Sequence, residues 1–274
     1  MMKKTENITF ALLAGGGALP GILARAALAR GWQVRAISFA GQPQPLDLPL
    51  GVPLESFPLG QIGHILAHLR GHHVQKVALA GHLEKPSLFS LKPDAAGLKL
   101  LARAVMMHDD ALLRAVTATL EENGFTVVGV AELMPDLLVP AGVLGKVKAR
   151  AEERDDIALG RTVLGVLGDL DIGQACVVHK GVVLGVEAVE GTDELLARCA
   201  ALRGAENRGG VLIKRAKPLQ TELADLPVVG LTTMQLLVQH HYTGLAIGAQ
   251  KTLVLERAEV VALADKAGIF VVAE

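Results

Sequence analysis

Between Val211 and Gly230 an apolar run of strand type ends in Lys214, Arg215 and Lys217, and Gln220, Glu222 and Asp225 follow within a dozen residues. Continuous apolar runs mark strands buried in a parallel sheet. Open α/β sheets bind ligands just beyond the carboxyl ends of such strands, and a cluster of cations there suits an anion. Lys214 and Lys217 are therefore candidates to meet such an anion, with Asp225 free to bind a metal or handle a proton. A plain strand end with solvated lysines accounts for the same residues.

A second pattern opens the chain. The apolar run from Ile8 to Ala14 meets Gly15-Gly16-Gly17-Ala18-Leu19-Pro20, and helical periodicity follows from Ile22 to Ala29. Glycines allow close backbone approach, and a helix N-terminus offers free N–H groups to phosphate. Pro20 stands where a dinucleotide fingerprint needs a small residue, and the run Gln33 to Ala40 ends without a ribose-binding acid. The expectation is a phosphate or sugar contact through Gly15, Gly16, Gly17 and Ala18, not NAD; a tight turn that needs glycine is the alternative. Elsewhere, Lys99 and Arg103 lie one helical turn apart, share a face and are candidates to bind substrate. Asp109 and Asp110 precede a helix, where acids cap the first turn or hold a metal. Glu190-Gly191-Thr192-Asp193 opens another helix, with Thr192 or Asp193 as N-cap and Gly191 freeing the backbone for a ligand.

The elements that must position these residues read as α/β. Strands at Ile8–Ala14, Gln33–Ala40 and Lys76–Ala80 alternate with helices, and Gly41 to Pro58 reads as a loop. Helices follow from Ala95 to Met107 and from Asp109 to Gly124, then a strand from Thr126 to Val130. Pro135, Pro140, Gly142 and Gly145 interrupt all periodicity, so residues 1–134 form a Rossmann-like N-terminal domain with a parallel sheet and 135–274 a C-terminal α/β domain. In the latter a helix from Ala149 to Leu167 precedes a hairpin turning at Lys180-Gly181. His72-His73 and His240-His241 are adjacent pairs, unable to share one helical face, and are read as surface or helix-end residues.

Composition narrows the function classes. The formal net charge is -1 over 274 residues and no Lys/Arg block occurs, which gives no reason to expect nucleic acid. The two cysteines, Cys176 and Cys199, fit neither a metal spacing nor a disulfide framework, so a reducing cytoplasm is expected. The polar start leads straight into a strand, so no signal peptide is expected. No apolar stretch reaches the ~18 residues of a spanning helix. A mean hydropathy of +0.40 then implies a large core, an apolar groove or a surface that touches membranes. Neither G-x-S-x-G nor H-E-x-x-H occurs, and Gly145-Lys146 is followed by Val147, so serine hydrolase and P-loop chemistry lack support.

In combination the motifs resemble a known family. Leu13-Ala-Gly-Gly-Gly-Ala-Leu-Pro20, Asp109-Asp110-Ala-Leu-Leu-Arg114, Asp171-Ile-Gly-Gln174, Val186-Glu187-x-x-Glu190-Gly191-Thr192-Asp193, Lys214-x-x-Lys217-Pro-x-Gln220 and Asp225-x-Pro227-x-x-Gly230 occur in one chain. The set resembles the LpxI-type UDP-2,3-diacylglucosamine diphosphatases of bacterial lipid A synthesis over nearly the whole length. The resemblance implies a Mg²⁺-dependent enzyme that directs water at the α-phosphorus of UDP-2,3-diacylglucosamine, releasing UMP and lipid X (2,3-diacylglucosamine 1-phosphate). It implies a substrate lying between the two domains, with Gln174, Glu187, Gly191, Thr192, Asp193 and Gln220 among the substrate-binding residues. Asp225 matches the family's essential aspartate, and Asp193, Asp109 and Asp110 stand behind it as metal ligands. The chain departs from the pattern at Thr221 and Leu223, where an acid and an arginine are expected. Acyl chains need an apolar groove, for which the helix from Leu98 to Met107 is a candidate wall. A cytoplasmic protein touching the inner membrane peripherally fits this reading, which leaves room for a homodimer. Another nucleotide-sugar or dinucleotide enzyme, and a non-catalytic relative that binds lipid or nucleotide, remain alternatives.

Overall fold

The computed structural model describes residues 8–45, 47–83, 93–104, 109–204, 208–217 and 226–274, without the side chains of 101–104 and 109–111. The described residues divide into two compact units, one up to residue 135 and one from 136 onward.

The first unit begins with β1 (Thr9–Ala14), α1 (Leu19–Ala29), β2 (Gln33–Ala40) and β3 (Leu54–Pro58), and continues through α2 (Ile62–Gly71), β4 (Lys76–Ala80) and α3 (Ala95–Ala104). It closes with α4 (Asp109–Glu122), β5 (Thr126–Val127) and the short α5 (Val130–Leu133). The sheet is parallel throughout, in the order β3-β2-β1-β4-β5. β1 lies at its centre, and its residues from Phe10 to Ala14 are buried, as expected of a strand covered on both faces. Strand order reverses between β1 and β4, the switch point at which such sheets bind ligands.

Two expectations fail here. The segment read as a loop from Gly41 to Pro58 contains β3, which pairs in parallel with β2 from Leu54↔Ala36 to Pro58↔Ala40. An edge strand covers only one neighbour and needs few apolar residues; only Phe57 packs against the core. The strand expected from Thr126 to Val130 stops at Val127, because Gly129 turns the chain into α5.

The second unit contains β6 (Gly142–Val143), α6 (Ala151–Asp169), β7 (Ala175–His179), β8 (Val182–Val186), α7 (Gly191–Leu202) and β9 (Val211–Lys214). It ends with β10 (Val228–Val229), α8 (Leu231–Gln239), β11 (Gly244–Ile247), β12 (Leu253–Val254), α9 (Arg257–Ala267) and β13 (Phe270–Ala273). The main sheet runs β6-β13-β11-β9-β7-β8, with β9, β11 and β13 parallel and the other pairings antiparallel. Side chains alternate across it with the period of two that a strand imposes. Val177 and Leu212 pack with Leu195, Met234 and Val260 of α7, α8 and α9, whereas Cys176, Val178, Val211 and Ile213 pack with Ile157 and Leu164 of α6. The chain is thus α/β in both halves, with a parallel Rossmann-like sheet in the first.

The hairpin falls where the sequence places it. Lys180 and Gly181 both have positive φ, 50° and 75°, the geometry that matches the twist of paired strands. Their N–H groups donate to the buried Asp156 of α6 at 3.0 and 2.6 Å. Both histidine pairs end helices: His72 and His240 are the C-caps of α2 and α8, and His73 and His241 follow in the left-handed region. Among the described residues, no helix is long and apolar enough to cross a membrane.

Candidate active site

At the carboxyl end of β9 the second unit gathers most of its sequence-predicted residues. Lys214 is the last residue of the strand and is buried. Its Nζ donates to Thr192 Oγ1 at 2.8 Å, and the Thr192 hydroxyl donates in turn to Glu187 Oε1 at 2.5 Å. The other Glu187 oxygen accepts the Gln174 N–H at 3.0 Å. One cation, one hydroxyl, one buried carboxylate and one amide therefore form a continuous chain across β9, α7, the end of β8 and the start of β7. Lys217 pairs with Asp171, and both side chains are nearly buried.

Local sequence accounts for this convergence. Ile247 of β11 lies beside Lys214 in the ladder, and the Gly248 N–H donates to the Lys214 carbonyl at 3.2 Å. The Arg215 N–H donates to the Gln174 carbonyl at 2.9 Å, which ties the segment after β9 to the entry of β7. Asp171 and Gly173 take positive φ, 58° and 57°, and fold the chain after α6 tightly. A Cβ on Gly173 would stand 1.9 Å from the Glu187 carbonyl oxygen, so only glycine allows this approach. On the other side, Arg198 bonds Glu190 at 2.8 Å and the Val186 carbonyl at 2.6 Å, clamping the turn that leads into α7.

α7 starts two residues earlier than a cap at Thr192 requires and three earlier than one at Asp193. Its N-cap is Glu190, and Gly191, Thr192 and Asp193 form its first turn. The hydroxyl of Thr192 bonds Glu187, so it is occupied away from its own helix. Gly191 has φ +81° and open space beside it, and the Asp193 carboxylate is exposed. A helix N-terminus carries partial positive charge and unpaired amides, so α7 and Lys214 bring like-signed groups to one strand end. Burial and the neighbouring Arg161 push the Arg215 guanidinium below its ordinary value, against the pull of Glu274. Arg161, on α6, pairs with Glu274 at 3.2 Å. Neither Asp171 nor Arg161 stood out as a site residue in the sequence; the signal for Asp171 was its motif with Gln174, and Arg161 had none.

The glycine turn lies at the switch point of the first sheet, but packing uses much of it. The Gly15 N–H donates to the Ala80 carbonyl and the Gly16 N–H to the His82 carbonyl, each at 2.8 Å. A Cβ on Gly15 would lie 2.3 Å from the His82 oxygen, and one on Gly81 would lie 2.6 Å from the Gly16 oxygen. The two turns after β1 and β4 thus require glycine for contact with each other. This alters the expected role of Gly15 and Gly16: their amides are engaged by backbone. Gly17, which forms a β-bridge with Pro45 but has φ +100° and open space beside it, and Ala18, the N-cap of α1, are left as candidate ligand contacts.

Lys99 is exposed on α3, and Leu98 beside it is 58% exposed while Leu100 is buried, so this helix shows apolar surface as well as a packed side. Asp109 and Asp110 begin α4, but their side chains, and that of Arg103, lie outside the described set. Gln220, Thr221, Leu223 and Asp225 also lie outside the described residues.

Comparison with known proteins covers both halves. Residues 9–137 match the LpxI N-terminal domain and residues 140–272 the LpxI C-terminal domain. A curated protein of Caulobacter vibrioides named UDP-2,3-diacylglucosamine pyrophosphatase LpxI is 40% identical over 270 residues, spanning 95% of each chain. Two solved structures are far more distant. A CobK precorrin-6A reductase shares 11% identity at a TM-score of 0.31, over 97% of this chain and 87% of that one. A putative NAD-dependent epimerase/dehydratase from Methylobacillus flagellatus shares 12% at 0.33, over 96% and 83%. With both family domains matched in order and two residues in five shared with a full-length relative, the chain belongs to the LpxI family.

Proposed function

We propose that this protein hydrolyses the pyrophosphate of UDP-2,3-diacylglucosamine in lipid A biosynthesis, with water attacking the α-phosphorus to release UMP and 2,3-diacylglucosamine 1-phosphate. The observation that carries the reading is the Lys214–Thr192–Glu187 chain at the carboxyl end of β9, in a relative of a pyrophosphatase named for that substrate. A pyrophosphate needs cations held in place before it arrives, because preorganised charge acts without reorganising during the reaction. Lys214 meets that need: burial and the Thr192 hydroxyl fix its ammonium. Lys217, steadied by Asp171, supplies a second charge, and the first turn of α7 adds amides around Gly191. Asp225 takes the role of water-positioning carboxylate.

Mg²⁺ belongs to the same proposal. It prefers hard oxygen ligands and is usually held by one or two carboxylates with substrate phosphates and water. The exposed Asp193 carboxylate is a donor of that kind, and Asp225 is proposed as a second by its residue type. Bound there, Mg²⁺ would neutralise phosphate charge as a Lewis acid. The amphiphilic product is in keeping with a protein that touches a membrane peripherally.

The test is hydrolysis in ¹⁸O-labelled water, with and without Mg²⁺. Label in UMP is expected. Label in the lipid monophosphate would mean attack at the other phosphorus and would remove Lys214 and Asp225 from the positions assigned to them. No turnover with any divalent metal would leave a binding protein in place of an enzyme.

A further inference from the structure

On the first unit, away from the cluster at β9, two histidines and a glutamate come together. His68 and His72 are one turn apart on α2, and the His72 N–H still donates to the His68 carbonyl at 3.1 Å, so the helical spacing holds to the last residue. Their ring centroids are 4.5 Å apart at 61°. Glu55 arrives from β3, the edge strand, where it faces α2 on the same side as Phe57. Its Oε2 lies 3.3 Å from His68 Nδ1. One ligand atom from each of Glu55, His68 and His72 lies within 4.8 Å of the other two.

We propose that Glu55, His68 and His72 form a binding site for a late first-row divalent cation, Zn²⁺ first among them. Zn²⁺ takes nitrogen and carboxylate oxygen at about 2.0–2.2 Å, usually in a tetrahedron, and neighbouring ligand atoms are then about 3.3 Å apart. The Glu55–His68 separation already has that value. His68 is the fixed member: its side chain is 12% exposed and its ring stands edge-on to Phe57 at 5.3 Å. Glu55 and His72 are exposed and can turn toward a shared ion. The second Glu55 oxygen accepts from Arg35 Nη2 at 3.2 Å. That contact orients the carboxylate as outer-shell partners of metal ligands do, and it leaves Oε2 for the metal. Arg35 and His72 also line an open cavity of about 470 Å³, through which an ion and its water can enter.

Two imidazoles and one carboxylate favour Zn²⁺, Ni²⁺ or Cu²⁺ over Mg²⁺, which avoids nitrogen. The site is therefore chemically separate from the Mg²⁺ role at Asp193 and Asp225. Its effect is a clasp: the ion joins the edge strand β3, held to the sheet only through β2, to the helix that covers it. The i, i+4 pair is legible in the sequence at His68 and His72, but the carboxylate comes from a segment that reads as loop.

The experiment is isothermal titration of the full, untagged chain with ZnCl₂ in a non-chelating buffer near neutral pH, beside thermal melts. One equivalent bound per chain and a raised Tm are expected. His72→Ala and Glu55→Gln alter exposed side chains and should leave the fold intact, yet each should weaken Zn²⁺ by about tenfold or more and abolish the Tm shift. His73→Ala should bind like the parent. Absence of saturable Zn²⁺ binding, or unchanged affinity in both His72→Ala and Glu55→Gln, would overturn the site.

Discussion

Lys214 carries more of the proposed chemistry than any other described residue, and its surroundings set what its loss would do. It is buried at a strand end with its ammonium on Thr192 Oγ1, so Lys214→Met keeps the stem and removes the charge. A preorganised group of this kind contributes about 10²–10³ in kcat. Steady-state assay should show a fall of that order with melting temperature largely retained, whereas turnover within a few-fold of the parent would take Lys214 out of the reaction. The cysteines are a contrasting case. Burial, with Cys199 nearby, pushes the Cys176 thiol up to about 12, and burial also raises Cys199. The thiolate is the reactive form, so native protein should resist iodoacetamide at pH 8 and react at both sites only once unfolded. Rapid labelling of native protein would contradict the burial of both side chains. These thiols are core residues on opposite faces of one sheet, in keeping with a sequence that offers no ligand spacing for them.

Among the helices of the first unit, Asp94 does work that no motif announced. Its carboxylate accepts the Gly97 N–H of α3 at 2.8 Å and the His64 N–H of α2 at 3.2 Å, satisfying the first turns of two helices at once. Burial pushes this carboxyl up, but the amides of Gly97, His64 and Gly63 outweigh it, and the group sits below the ordinary aspartate value. A depressed folded-state pKa means stability that is present above the unfolded value and lost as pH falls through the folded one. Asp94→Asn keeps an acceptor and removes the titration. Its unfolding free energy from urea titration should therefore lie below the parent's above about pH 5, by about 0.5–1 kcal/mol, with the gap closing in acid. A gap independent of pH would mean that the charge is irrelevant. The same junction explains why Gly97 is glycine: a Cβ there would lie 1.9 Å from the Gly60 carbonyl oxygen, and backbone cannot yield as a side chain can.

Across the whole molecule, each unit has its own sheet and its own core. A domain with its own core can unfold cooperatively by itself. Calorimetry should then resolve two transitions. Gly97→Ala should lower one of them, and Asp156→Ala, which strips the buried acceptor from the hairpin amides of Lys180 and Gly181, should lower the other. Loss of such a buried partner costs about 1–3 kcal/mol. A single transition moved equally by both variants would show one cooperative body.

Much of this is legible in the sequence alone, and the reason is local physics. Buried parallel strands must be apolar throughout, so β1, β2, β4 and β9 stand out in the sequence, and a two-residue hairpin must accept positive φ, so Lys180-Gly181 is visible. The motifs containing Gln174, Glu187, Thr192 and Lys214 likewise identify the family by residue type and spacing. Three-dimensional packing decided the rest. β3 pairs with one neighbour and has little apolar signal of its own. The amides of Gly15 and Gly16 look free in sequence, yet the turn after β4 occupies them. Asp171 finds Lys217 across 46 residues, and Glu55 finds His68 from another element. Contacts of that range depend on how the sheet brings its strand ends together, which no local pattern encodes.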